Sequence, residues 1–267
     1  MSIRNQANLD IFKTNKMAKT YFITGANRGI GLSLVKQLAA KPDVEVIATA
    51  RNPSDAEELQ QLVKSSSNVK LVQLDVSDEH SIKKAGAEVA KLADAIDVFV
   101  NNGAIGQAFT PVLKTPKEQW TNHYNTNVVG PILLLQQIYP LVKKSAEKKV
   151  IFISSVVASL GMTIPVNFSA YGQSKAALNY SVKDLAKELR KDDIIVVAVH
   201  PGVVGTDMGS EAGRLLIAED PSAADFFSLA EVITPDQSAE SMISLFEELS
   251  AESSGKFLSY DKSELPW

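Results

Sequence analysis

Near its start the chain reads Tyr21-Phe22-Ile23-Thr24-Gly25-Ala26-Asn27-Arg28-Gly29-Ile30-Gly31, and this stretch decides the fold. A short apolar run leads directly into three glycines. An amphipathic pattern follows, with Ile30, Leu34 and Leu38 at intervals of four. A dinucleotide pyrophosphate needs backbone N–H groups at a helix N-terminus, with no side chain in the way. Gly25 permits the sharp turn, Gly29 the approach of the phosphates, and Gly31 close packing of helix on strand. The spacing Gly-x3-Gly-x-Gly departs from the common G-x-G-x-x-G fingerprint. Its weight therefore comes from its place between a strand and a helix.

Working outward, apolar runs alternate with helical patterns to the end of the chain. Strands are expected at Tyr21–Thr24, Val44–Thr49, Val69–Leu74, Val98–Val100, Val150–Ser154, Ile194–Val199 and Lys256–Ser259. Most are short, rich in Val and Ile, and apolar without alternation, as strands covered on both faces are. The alternation implies right-handed crossovers and a parallel sheet. No repeat or linker divides the chain, so one doubly wound α/β domain is expected over residues 17–267. Residues 207–230 break the rhythm with glycines, charges and aromatics just after the sixth strand. They read either as a substrate loop or as an ordinary connecting helix.

Composition narrows the possible functions. The net charge of −4 and scattered basic residues give nucleic acid or an anionic membrane no purchase. Without cysteine there is no disulfide, thiolate metal site or cysteine nucleophile. His80, His123 and His200 lack metal-ligand spacing and read as surface or packing residues, so no metal is expected. No stretch approaches the ~18 apolar residues of a membrane span. Residues 1–16 are polar, basic apart from Asp10, and lack the apolar core of a secretory signal. They read as a disordered extension, with mitochondrial targeting the minor alternative to a cytoplasmic location.

About 20 residues past the glycine turn an acid would hold a ribose 2′-hydroxyl. The chain instead reads Ala48-Thr49-Ala50-Arg51-Asn52, with Arg28 inside the turn itself. Two guanidinium groups that can each fork onto a phosphate favour NADP(H) over NAD(H).

Tyr171-Gly-Gln-Ser-Lys175 puts a phenol and an ammonium four residues apart on one helix face. A nearby positive charge is expected to lower the phenol from its ordinary value near ~10. Tyr171 then becomes a general acid for reducing a carbonyl, or a base for the reverse. Upstream, Val150-Ile-Phe-Ile-Ser154-Ser155 ends in hydroxyls at the carboxyl edge of the sheet, where ligands bind in such folds. Asn101-Asn102-Gly103-Ala104 lies at the same edge, and Asn127 in the central helical segment. A serine hydrolase is excluded, because Gly172-Gln-Ser174-Lys-Ala lacks the last glycine of a nucleophile elbow.

Taken in order, these motifs resemble the short-chain dehydrogenase/reductase family from Met17 to Trp267. The resemblance implies a single-domain Rossmann-type parallel sheet of about seven strands, in the order 3-2-1-4-5-6-7. It implies a catalytic tetrad of Asn127, Ser155, Tyr171 and Lys175, with Asn127 holding a water on a proton relay to Lys175. Cofactor contacts are implied at Gly25, Asn27, Arg28, Gly29, Ile30 and Gly31. Others are Arg51, Asp75 on the adenine, Val76, Asn102, Gly103, Ala104, Tyr171, Lys175, Pro201, Gly202, the Val204 backbone and Thr206. The function so implied is NADPH-dependent reduction of a ketone or aldehyde to an alcohol. The alternative is a non-catalytic NADP-binding redox sensor on the same fold.

Two departures stand out. The family usually reads Asn-Asn-Ala-Gly after strand four, whereas Gly103-Ala104 reverses the small pair. Ser155 precedes Tyr171 by 16 positions rather than 13, leaving Ser154 or Ser155 as the hydroxyl, with Ser155 chosen. The longer interval and the ending Ser254–Trp267 resemble a narrower group containing norsolorinic acid ketoreductase-like and C-factor-like proteins. Loops 104–114, 161–168 and 207–230 are expected to line the pocket with Phe109, Met162, Phe168, Met208, Phe226 and Phe227, which suits an apolar or aromatic carbonyl. Segment 128–142 is apolar almost all round, so a homodimer or homotetramer through it and the Tyr171 helix is expected.

Overall fold

The computed structural model describes residues 18–267 except 108, 109, 163, 222 and 230. The extension at 1–16 and Phe109 lie outside the described residues, as do the side chains of Phe226 and Phe227. In chain order the elements begin β1 (Lys19–Ile23), α1 (Gly29–Ala39), β2 (Val44–Ala50), α2 (Glu57–Ser65), β3 (Val69–Gln73), α3 (Glu79–Leu92) and β4 (Val98–Asn101). Next come α4 (Lys117–Tyr124), α5 (Gly130–Lys144), β5 (Lys149–Ile153), α6 (Ser169–Glu188) and β6 (Ile195–His200). The chain closes with β7 (Val203–Val204), α7 (Asp207–Glu219), α8 (Ala223–Leu229), β8 (Val232–Ile233), α9 (Pro235–Glu248) and β9 (Phe257–Ser259).

The main sheet has seven strands in the order β3-β2-β1-β4-β5-β6-β9, and the paired strands run parallel. Its last strand is the one expected at Lys256–Ser259. It is ninth in the chain because β7 and β8 form a separate parallel ribbon of two residues each. Segment 207–230 is mostly helical rather than an open loop, forming α7 and α8.

Successive residues of β1 point to opposite faces, which splits the core in two. Tyr21 and Ile23 join α1, α2 and α9, through Leu34, Leu38, Leu59, Met242 and Phe246. Phe22 joins α3, α5 and α6, through Ile82, Leu134, Leu178 and Val182. On that second face Phe22 stacks on Phe99 at 5.4 Å, and Phe99 meets Phe152 edge-on at 6.3 Å. Burying each such ring contributes roughly 2–3 kcal/mol.

Between α4 and α5 the chain makes a wide π-helical turn over Asn125–Val129, in which the Gly130 N–H reaches back to the Asn125 carbonyl. Turns of this kind recur at functional sites. Here the turn ends on Gly130, whose neighbour across the fold is the Val76 carbonyl. A Cβ at Gly130 would lie 1.8 Å from that oxygen. Only glycine fits there.

Candidate active site

The site assembles at the carboxyl edge of the sheet. The glycine turn leaves β1 with Gly25 in the left-handed region, at φ 65°, and a Cβ there would sit 2.6 Å from the Gly103 Cα. Gly103, the first of the reversed Gly103-Ala104 pair, faces this turn, and a Cβ on it would lie 3.3 Å from the Gly25 nitrogen. The Thr24 hydroxyl accepts the N–H groups of Asn102 and Gly103 at 3.0 and 2.9 Å. The Asn102 amide donates back to the carbonyls of Thr24 and Gly25, both at 3.0 Å. Asn102 therefore serves the shape of the turn.

No side chain caps the N-terminus of α1, where Arg28 takes the cap position in extended conformation. An uncapped helix end behind a glycine turn with exposed Asn27 and Arg28 is a fitting cradle for a pyrophosphate. Thr206 closes the far side, its methyl 3.3 Å from where a Gly29 Cβ would lie, while its hydroxyl caps α7. Ile30, Gly31 and Ala104 lie within this turn and its partner strand end. Arg28 meets Asp207 at 3.0 Å, both side chains being largely exposed. Arg51 is exposed just past β2. Asp75 and Val76 follow β3, and one Asp75 carboxylate oxygen accepts the N–H and hydroxyl of Ser77. Past β6, the Pro201 carbonyl accepts the Ser238 hydroxyl at 2.6 Å, Gly202 turns with φ 90°, and Val204 belongs to the short ribbon.

The polar groups of the expected tetrad converge from three elements. Ser155, just past β5, hydrogen-bonds the Tyr171 phenol. Ser154 is engaged further along α6, donating to Asn179 at 2.6 Å in the core. The longer interval between Ser155 and Tyr171 runs out to the C-terminus and back under α7. Gly161 donates its N–H to the Trp267 carbonyl at 2.9 Å, and Val166 and Phe168 pack beside Leu215 and Leu216 of α7. Lys175 is buried and donates to the Ile153 carbonyl at 2.8 Å, and burial lowers its pKa to about 8. Tyr171 departs from expectation: burial pushes its phenol above the ordinary value, and the opposing influence is the Ser155 hydrogen bond rather than the ammonium.

Asn127 is fully engaged. Its amide oxygen accepts the Ile105 N–H, and its NH2 donates to the Ile105 carbonyl, each at 2.9 Å, and to the Ser174 hydroxyl at 3.0 Å. The side chain thus pins the segment after β4. That segment then passes Tyr171 so tightly that a Cβ at Gly106 would meet the Met208 sulfur at 2.9 Å and the phenol ring at 3.3 Å. With α7 over it, Tyr171 is roofed by Val166, Phe168, Ala212, Leu215 and Leu216. Met162, also expected on the pocket wall, is exposed.

Two histidines that the sequence treated as bystanders lie at this site. His123 is buried with its ring edge-on to Tyr171, centroids 6.5 Å apart. Its only sequence signal is its place four residues before Asn127. His200 accepts the Val156 N–H at 3.2 Å, steadying the backbone beside Ser155, and burial lowers its pKa to about 4. Between the unfolded value near ~6.5 and the folded value, the unfolded chain takes up the proton first. Stability is therefore expected to fall as pH drops through that window, by at most on the order of 3 kcal/mol. Denaturant midpoints for the wild type and His200→Asn, measured from pH 7 to pH 4, check this: the variant's slope should be shallower.

Among the described residues no cluster of His, Asp or Glu could hold a metal ion, and no helix is long and apolar enough to cross a membrane. The short chain dehydrogenase family matches residues 19–214. An uncharacterized oxidoreductase of Schizosaccharomyces pombe is 45% identical, over 93% of this chain and 98% of the relative. A norsolorinic acid ketoreductase of Dothistroma septosporum is 32% identical, over 93% of this chain and 92% of the relative. The crystal structure of an NADPH-bound carbonyl reductase from chicken fatty liver superposes with a TM-score of 0.82 at 32% identity, covering 94% of this chain and all of that one.

Proposed function

The chain belongs to the short chain dehydrogenase family, and on that premise we propose that it is an NADPH-dependent carbonyl reductase. The observation that carries the reading is the Tyr171 phenol, bonded to Ser155 and one turn from buried Lys175 beside an open glycine turn. When bound, the nicotinamide supplies a hydride to the carbonyl carbon. Ser155 orients the carbonyl oxygen and Tyr171 gives it a proton. A phenol held above its ordinary value keeps its proton at neutral pH, yet a nascent alkoxide is far more basic and takes it. Asn127 would hold a relay water leading to Lys175 while its side chain stays engaged at Ile105 and Ser174.

Gly25, Gly29 and Gly31 would receive the pyrophosphate, and Thr206 and the Val204 backbone the nicotinamide side. The NADPH held by the chicken carbonyl reductase supports this cofactor. So do Arg28 and Arg51 at the edge where a 2′-phosphate would lie. Replacing both by alanine should raise KM for NADPH about 10- to 100-fold, the loss of roughly 1.4–2.8 kcal/mol, and leave KM for NADH nearly unchanged. Parallel steady-state titrations decide it.

The apolar roof of α7 and Phe168 over Tyr171 supports an apolar or aromatic ketone or aldehyde as substrate. Exposed Val129, Tyr124 and Tyr180, with an open groove of about 400 Å3 between α4 and α6, support pairing of copies through this side. The test of function is NADPH and NADH oxidation over a broad carbonyl panel. Turnover with NADPH is expected, whereas tight NADPH binding with no turnover would favour the redox-sensing alternative.

A further inference from the structure

Buried imidazoles need partners on both nitrogens, and those of His123 define its state. Nδ1 lies 2.8 Å from the Gln119 carbonyl, one turn back on α4, and must carry the proton. Nε2 receives the Gln107 N–H at 3.2 Å and must be bare. The ring is thus a neutral link between α4 and the segment that passes over Tyr171. Asn127, four residues on, grips the same segment at Ile105 through two hydrogen bonds. Between these two anchors lies Gly106, pressed against Tyr171 and Met208.

We infer that His123 is a positioning residue for the carbonyl substrate: it fixes residues 105–107 as the wall beside Tyr171, and its protonation releases that wall. The inference rests on the carbonyl-reductase reading for its consequence, not for its geometry. Protonated Nε2 can no longer accept the Gln107 N–H, so the segment loses its second anchor while Asn127 keeps the first. The groups around the ring oppose that proton until the pH is acid. From α6 it faces Tyr171 edge-on and the charge of Lys175; from α4 it faces the Gln119 carbonyl; from the 105–107 segment it faces the Gln107 N–H. Burial and Lys175 together hold it below the ordinary imidazole value, although the Gln119 bond works the other way. At neutral pH the wall is in place.

Three measurements test this. Nitrogen-15 NMR of the wild-type protein should show His123 with Nδ1 protonated and Nε2 bare at pH 7. The Gln107 amide should shift as the ring titrates below pH 6.5. This arm needs no turnover, so it separates failure of the positioning role from failure of the assigned activity. His123→Phe, which keeps the ring but not the acceptor, should lower kcat/KM for the carbonyl at least ten-fold, with KM for NADPH within two-fold. His123→Gln, whose amide oxygen can accept from Gln107, should restore kcat/KM to within about three-fold and abolish the acid limb of its pH profile. The inference is overturned if Nε2 carries the proton at pH 7 or if His123→Phe retains kcat/KM within two-fold. An acid limb that persists unchanged in His123→Gln also overturns it.

Discussion

Tyr171→Phe is expected to lower NADPH-dependent carbonyl reduction by about 10³-fold, within the range that removal of a general acid produces. The substitution deletes one oxygen and leaves the ring in its apolar roof of Phe168, Leu215 and Leu216, so the fold has no reason to change. The Ser155 hydroxyl loses its partner and turns to the substrate or water. Cofactor binding should survive, because the glycine turn is shaped by Thr24 and Asn102. Single-turnover rates beside NADPH fluorescence titrations separate the two effects. Retained turnover, or loss of binding in step with loss of rate, would remove Tyr171 from its assigned role.

The second large effect concerns stability. Gly130→Ala is expected to destabilise the protein by about 3 kcal/mol or more, at the upper end of overpacking costs. A Cβ would lie 1.8 Å from the Val76 carbonyl, a main-chain atom that cannot swing aside. Either α5 shifts along its axis or the segment just after β3 gives way, and that segment carries Asp75 and Val76, which are expected to border the cofactor. Affinity for NADPH should therefore fall together with the thermal midpoint. Gly213→Ala supplies the contrast. Nothing lies within 4 Å of a Cβ there, and α7 gains a better helix former, so no loss of stability is expected. Equal behaviour of the two variants in thermal unfolding would refute the steric account.

The strands and the glycine turn were legible because each rests on local pattern: continuous Val and Ile runs, and three glycines between strand and helix; the strand order came only with the family resemblance. Ser155 over Ser154 could be chosen in sequence, but the reason appears only in three dimensions, where Ser154 is spent on Asn179 in the core and Ser155 reaches the Tyr171 phenol. Tyr171 rises instead of falling because burial works on both groups: it lifts the phenol and lowers Lys175 to about 8, so the ammonium sheds its charge before the phenol titrates. Spacing along a helix shows that two groups share a face, not which of them is solvated. His123 could not be read at all: its partners, Gln107 and Tyr171, come from a loop and a distant helix. The β7–β8 ribbon escaped notice because two residues per strand leave no periodicity to detect.

The clamp between the glycine turn and the end of β4 also bears on how the protein reaches this state. β1 and β4 are neighbours inside the sheet, but Thr24 and Asn101 are 77 residues apart in sequence, with three crossovers between them. Contacts so distant are slow to form, because the intervening chain must be ordered before they can reward it. A nascent or partly refolded chain that has joined β1 only to β2 thus has a glycine turn without its partner. The dinucleotide should then have no measurable grip on early folding intermediates and a full one on the native state. Under those conditions it leaves the refolding rate alone, slows unfolding, and raises the apparent midpoint with the logarithm of its concentration.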